Sequence, residues 1–200
     1  MKKILLLAGV AALFASNASA SIFTPYLSAK VKYDFVDSTV KYEKSDVDHR
    51  INMDKDVFAG SVAFGLRPTA LPALRGELEY NHNKTIKKTV DDGSARTEIH
   101  YVLLNMYYDF RTCTPFTPYI GAGLGGSSVK YSVDNDSDRN NRFAWQVGTG
   151  ISYAFNSNIA ADAGYRFVDL GHISRNHDGA KTRIDSYAHE LYLGLRYTFE

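Results

Sequence analysis

His172-Ile173-Ser174, with Asp185 further along the chain, has the ingredients of nucleophilic catalysis. A carboxylate can orient an imidazole, and the imidazole can take the proton of a nearby hydroxyl. Here, however, the group falls in a polar segment between strand patterns, which reads as a surface loop. Asp134-Asn135-Asp136-Ser137-Asp138 presents the alternating oxygens of a calcium loop. Arg139 stands where such a loop turns on glycine, and Trp145 where it closes on glutamate. The six histidines (His49, His82, His100, His172, His177, His189) show no ligand spacing along the chain. One cysteine, Cys113, can make neither an internal disulfide nor a cysteine-based zinc site. The sequence therefore gives no expectation of catalytic residues, cofactor or metal.

A larger set of charges has a different character. Lys30, Lys32, Arg67, Arg75, Arg166 and Arg196 balance Asp34, Glu77, Glu79, Asp109, Asp162 and Glu190, and all of them lie inside alternating segments. Strict alternation is the mark of a strand with two unlike faces. In Leu27–Phe35, Leu27, Ala29, Val31, Tyr33 and Phe35 oppose Ser28, Lys30, Lys32 and Asp34. The pattern returns in Phe58–Arg67, Leu74–Asn81, Val102–Phe110, Tyr119–Tyr131, Phe143–Phe155, Ala161–Val168 and Tyr187–Phe199. That is eight strands, an even number suited to closure. Short connections (Pro68–Ala73, Arg111–Phe116, Asn156–Asn158) alternate with long polar ones at about 36–56, 83–97, 132–142 and 171–185. An all-β, eight-stranded antiparallel up-and-down barrel produces this, with its long loops at one end and both termini at the other.

A soluble barrel and a membrane barrel both alternate, with opposite polarity. The charged face here is also the small face: Gly65, Gly121, Gly123, Gly125, Gly148, Gly150, Gly164 and Gly194 fall on it. A water-facing surface has no need of glycine, whereas an eight-stranded bore has little room. Charges in such a bore must be paired, because unpaired burial is expensive. On the apolar face aromatics cluster at the strand ends, with Phe64, Tyr108, Phe110, Tyr153, Phe155, Tyr197 and Phe199 towards the short turns. Tyr33, Phe35, Phe58, Tyr80, Phe143, Trp145, Phe167 and Tyr187 lie towards the long loops. Two girdles around an aliphatic band match a bilayer, so the alternation predicts a transmembrane barrel with its charges inside. Two roles are open to those charges. They fill and cross-link the bore, or they gate a narrow pore for ions or small solutes.

The ends and the composition complete the reading. Met1-Lys2-Lys3, the apolar run Ile4–Ala15 and Ala18-Ser19-Ala20 form the pattern of an export signal, with cleavage expected after Ala20. Twelve apolar residues span only about 18 Å as a helix, short of a bilayer. Residues 1–20 are thus expected to be a signal peptide and 21–200 one barrel domain without linkers. Lys+Arg total 23 against 22 Asp+Glu, which argues against a nucleic-acid partner. The content of 14 Tyr, 11 Phe and one Trp argues against a disordered chain.

Tyr107-Tyr108-Asp109-Phe110, Thr117-Pro118-Tyr119-Ile120-Gly121-Ala122-Gly123-Leu124-Gly125 and Asp162-Ala163-Gly164-Tyr165-Arg166 resemble the opacity (Opa)-like branch of OmpA-type outer-membrane barrels. So does His189-Glu190-Leu191-Tyr192-Leu193-Gly194-Leu195-Arg196-Tyr197-Thr198-Phe199. The resemblance spans the mature chain. It implies the outer membrane of a Gram-negative bacterium, outer-membrane lipid and lipopolysaccharide as surroundings, and an adhesion, host-interaction or envelope-structural role. Host-cell or matrix ligands would meet loops 36–56 and 171–185, while Lys84, Lys87, Lys88 and Arg96 are placed to meet lipopolysaccharide phosphates. Barrels of this kind end on an aromatic residue that the barrel-assembly machinery recognises. Here the signal would be Tyr197 and Phe199, displaced inward by Glu200. His172-Ile173-Ser174 also invites comparison with outer-membrane lipid A deacylases, but Arg175 replaces the asparagine that follows their serine.

Overall fold

The computed structural model describes residues 22–43, 51–52, 55–83, 86–90, 93–133, 136–177 and 180–199. Its strands are β1 (Phe23–Glu43), β2 (Ile51–Asn52), β3 (Lys55–Pro68), β4 (Leu74–Asn83), β5 (Ile86–Val90), β6 (Gly93–Asp109), β7 (Phe116–Val133), β8 (Asp136–Ala154), β9 (Ile159–His177) and β10 (Ala180–Thr198). Eight of them form the wall in the order β10-β9-β8-β7-β6-β4-β3-β1, all antiparallel, and β10 pairs back onto β1 to close it. β2 and β5 are short additions at the long-loop end, on β1 and β6 respectively. The expected signal peptide lies outside the described residues.

The long polar segments differ from expectation. They are not loops over most of their length, because the ladders continue through them. β1 and β10 stay in register from Tyr26↔Thr198 to Glu43↔Lys181. β7 and β8 pair to Val133↔Asp136, and β9 and β10 to His177↔Ala180. These segments keep β-branched and aromatic residues such as Val36, Thr39, Val40, Tyr42, Thr182 and Ile184. Such residues suit an extended backbone, and pairing satisfies its polar groups. In these segments the apolar and polar residues no longer keep to the sets they occupy within the wall, although the strand pairing continues.

Within the wall the two faces separate cleanly. Leu193, Val31, Leu104 and Met106 point out and are exposed, whereas Lys32, Glu79, Asn105 and Glu190 point in and are buried. Aliphatic residues exposed around a closed wall amount to an apolar band, the surface that lipid covers. At the short-turn end Tyr108–Phe110, Tyr153–Phe155 and Tyr197–Phe199 form edge-on pairs with centroids 5.0–5.1 Å apart. At the other end Tyr33 meets Phe35 and Phe58, and Phe167 meets Trp145, Tyr187 and His189.

Inside the bore, glycine makes space for tyrosine. Tyr26, Tyr107, Tyr119 and Tyr192 face Gly65, Gly121, Gly150 and Gly164 directly across the ladder. In each pair a Cβ on the glycine would overlap the tyrosine ring. The ring lies flat on the neighbouring strand where any side chain would lift it into the bore. Gly171 serves a different need: its φ of 83° lies in the left-handed region, opposite the register shift between Asp185 and Tyr187. Its N–H donates to Asp169 Oδ1 at 2.7 Å.

Replacing Gly150 with valine should force the Tyr119 ring from its place and cost about 1–3 kcal/mol through overpacking. Urea unfolding in detergent, followed by the gel mobility shift of folded barrels, would measure it. The same substitution at Gly76, where an added Cβ has nothing within 4 Å, should be close to neutral.

Candidate functional site

The inward side chains form a charged core bonded across the bore. Alternation puts Lys30 and Lys32 of β1, Glu77 and Glu79 of β4, Arg166 of β9 and Glu190 of β10 on one inner face. Arg166 is the centre. Its Nε donates to Glu190 Oε2 at 2.6 Å, while Nη1 and Nη2 form a fork onto Glu79 at 2.9 and 3.1 Å. Lys32 Nζ reaches Glu190 at 3.3 Å, Asn81 Oδ1 at 2.9 Å and the Tyr101 hydroxyl at 2.5 Å. Tyr101 in turn donates to Glu190 Oε1 at 2.5 Å. Lys30 binds Glu77 at 2.5 Å and Glu79 at 3.2 Å. Asn105 and then Gln146 extend the network from Glu79 towards β8, at 2.8 and 3.2 Å.

A second group lies towards the short turns. Arg75 Nε donates to Asp109 at 2.8 Å, and Arg67, which is partly exposed, adds a contact at 3.2 Å. Arg196 faces Asp162 at 3.4 Å and donates to Ser152 Oγ at 2.7 Å. Tyrosine rings flank these cations: Arg75 lies over Tyr107 and Tyr119, and Arg196 over Tyr26. The hydroxyls of Tyr119 and Tyr192 bond at 2.9 Å. Towards the long-loop end the bore carries an apolar cluster of Tyr101, Leu103, Ala144, Val168 and Leu170.

The structure thus brings the charges named from the sequence together in two groups. Asp34 is fully buried beside them on the same face as Lys32. Tyr26, Tyr101, Tyr107, Tyr119 and Tyr192 complete the core, and charge patterning gave no sign of them. Their signal was the glycine opposite each of four, visible only once register is known. The other sequence candidates stay apart from this core. His172 pairs in register with Asp185, and Ser174 with Arg183, in the part of β9 and β10 that extends beyond the wall. Cys113 is exposed in a short turn. Asp134 and Asn135 lie outside the described residues.

A closed antiparallel wall, with a charged packed interior and an apolar exterior banded by aromatics, defines a transmembrane β-barrel. The chain belongs to the family described as "Outer membrane protein beta-barrel domain", whose profile matches residues 5–199. It is 33% identical over 177 residues to the outer membrane protein PagN of Salmonella typhimurium, covering 72% of this chain and 74% of that one. It is 26% identical over 133 residues to the 25 kDa outer-membrane immunogenic protein of Brucella abortus, covering 63% of this chain and 57% of that one. Among solved structures the fold is similar to Neisserial surface protein A, with TM-score 0.64 at 24% identity, covering 90% of this chain and 99% of that one. The protein is accordingly an outer-membrane barrel.

Arg166→Met should leave Glu79 and Glu190 buried with lysine as their only cationic partner. The expected loss is about 3–5 kcal/mol, the size of breaking a buried pair from one side. Replacing Arg67, which is partly exposed, by Met should cost well under half as much. Parallel denaturant titrations of the two refolded variants would test the order.

Proposed function

We propose that this protein is a surface-display barrel: the wall anchors it and the projecting hairpins meet partners outside the cell, in adhesion or host interaction. One observation carries the reading. Ion pairs, tyrosines and an apolar cluster fill the bore, while strand pairing runs outward past the wall to Glu43↔Lys181 and His177↔Ala180. A filled barrel with long ordered projections offers its outer end for recognition rather than its interior for passage. The Brucella relative is named for immunogenicity, which suits exposure of an outer end. Segments 36–56 and 171–185 are the proposed contact regions for a host-cell or matrix ligand. Lys87, Lys88 and Arg96, together with Lys84, which lies outside the described residues, are proposed to face lipopolysaccharide phosphates. Tyr197 and Phe199 on the last strand are the proposed signal to the assembly machinery, acting after a signal peptide at 1–20 has directed export. No catalytic function is proposed.

The channel reading is less well supported, because Arg166 bonds simultaneously to β4 and β10 across the space an ion would use.

A non-adherent Gram-negative host expressing the protein should gain binding to epithelial cells or matrix proteins. Trimming 36–56 and 171–185 should abolish that binding while leaving the gel mobility shift intact. Equal background adhesion from both forms would remove the adhesion reading. Purified protein in planar bilayers should be silent. Stepwise conductance that changes with Arg75→Ala or Glu77→Ala would favour the pore instead.

A further inference from the structure

His82 on β4 and His100 on β6 stand directly opposite each other in the ladder. Both are on the outward set, His82 following Leu78 and Tyr80, and His100 preceding Val102 and Leu104. They sit at the long-loop end of the wall, where β4 ends and the β5–β6 hairpin begins. The two rings stack with centroids 4.8 Å apart and planes at 26°. Their Nδ1 atoms are 3.1 Å apart, and the Tyr80 hydroxyl is 3.0 Å from His100 Nδ1. Three ligand-type atoms therefore converge at one place on the outer wall.

The hydrogen-bonding capacity of that group is oversubscribed. A neutral imidazole nitrogen carries either one in-plane lone pair or one hydrogen. His100 Nδ1 can thus make one well-aligned bond, yet it has two partners at bonding distance. A cation between the nitrogens would use both lone pairs. Two imidazole nitrogens each about 2.0–2.1 Å from a metal are about 2.9 Å apart in a cis square-planar arrangement and about 3.4 Å apart in a tetrahedral one. The observed 3.1 Å falls between these limits. His82 is exposed on the outer wall, beyond Tyr80 of the long-loop girdle, so an ion reaches it at the membrane surface without opening the wall.

We propose that His82, His100 and Tyr80 form an outward-facing site for a divalent transition-metal cation, with the two Nδ1 atoms as ligands and the tyrosine hydroxyl beside them. Solvent completes the coordination. Imidazole donors in open geometry favour copper(II) over zinc(II) by the general order of divalent affinities. Ligand spacing in the sequence does not reveal the site, because the histidines come from two strands and meet only through register. It would tie β4 to β6 where the β5–β6 hairpin starts.

The test uses tag-free protein refolded in detergent and checked by its gel mobility shift. Copper(II) is titrated in and followed by electron paramagnetic resonance. Wild type should bind one equivalent with hyperfine structure from two nitrogens. His82→Asn and His100→Asn should each lose the two-nitrogen signature and weaken binding by about tenfold or more, as a chelate reduced to one arm does. His189→Asn, which changes another outward histidine, should leave both readouts unchanged. Because His82 is exposed, its variant is expected to fold, and the mobility shift verifies this. If the His82→Asn/His100→Asn double variant binds copper with wild-type stoichiometry, affinity and spectrum, the proposal is overturned. It is equally overturned if folded wild type shows no two-nitrogen copper.

Discussion

The structure depends on burying ions in a bore too narrow to hydrate them fully. A charge taken from water costs several kcal/mol unless opposite charge and hydrogen bonds surround it. Arg166 meets that demand with Glu190 from the adjoining strand and Glu79 from across the barrel. Lys30 and Lys32 supply compensating charge from β1 to Glu77, Glu79 and Glu190. Each of these contacts is specific to the strand order, so the polar interior helps select one arrangement of a wall whose outer surface is largely apolar. The lipid side offers little such discrimination, since one aliphatic residue suits a bilayer nearly as well as another.

Tyrosine and glycine set the dimensions within which those ions meet. A ring laid over a glycine occupies the height of the neighbouring backbone rather than the middle of the bore. This leaves the centre to the long cationic chains, and the rings lie against them: Arg75 over Tyr107 and Tyr119, Lys32 over Tyr101. Stability and filling of the bore therefore come from one packing solution.

Much of this was legible in the sequence because alternation is strict wherever one side meets lipid. Val31 and Lys32 could be assigned to opposite faces without knowing any partner strand. The sign balance of the inward residues further implied pairing. What could not be read was whatever register decides. Nothing in the chain order puts Tyr119 over Gly150, or His82 beside His100, since those meetings depend on how far one strand slides along the next. The polar ends of the strands were hidden for another reason. Past Phe35 the apolar residues Val36, Val40 and Tyr42 fall on the alternate set that carried Lys32 and Asp34, so side-chain polarity ceases to mark one face even though the ladder continues.

The closing seam between β1 and β10 bears on how the barrel comes into being. Lys32, on the first strand, finds Glu190 on the last, and Phe199 N–H donates to Pro25 O at 3.0 Å at the foot of the same seam. An open sheet lacking β10 would hold Lys32 and Arg166 without one of their shared counter-ions, next to hydrocarbon. Partly zipped intermediates inside the membrane are thereby disfavoured, and the last strand to emerge acts as a latch on the whole. Glu190 thereby couples closure of the seam to the neutralisation of two cations that stand on other strands.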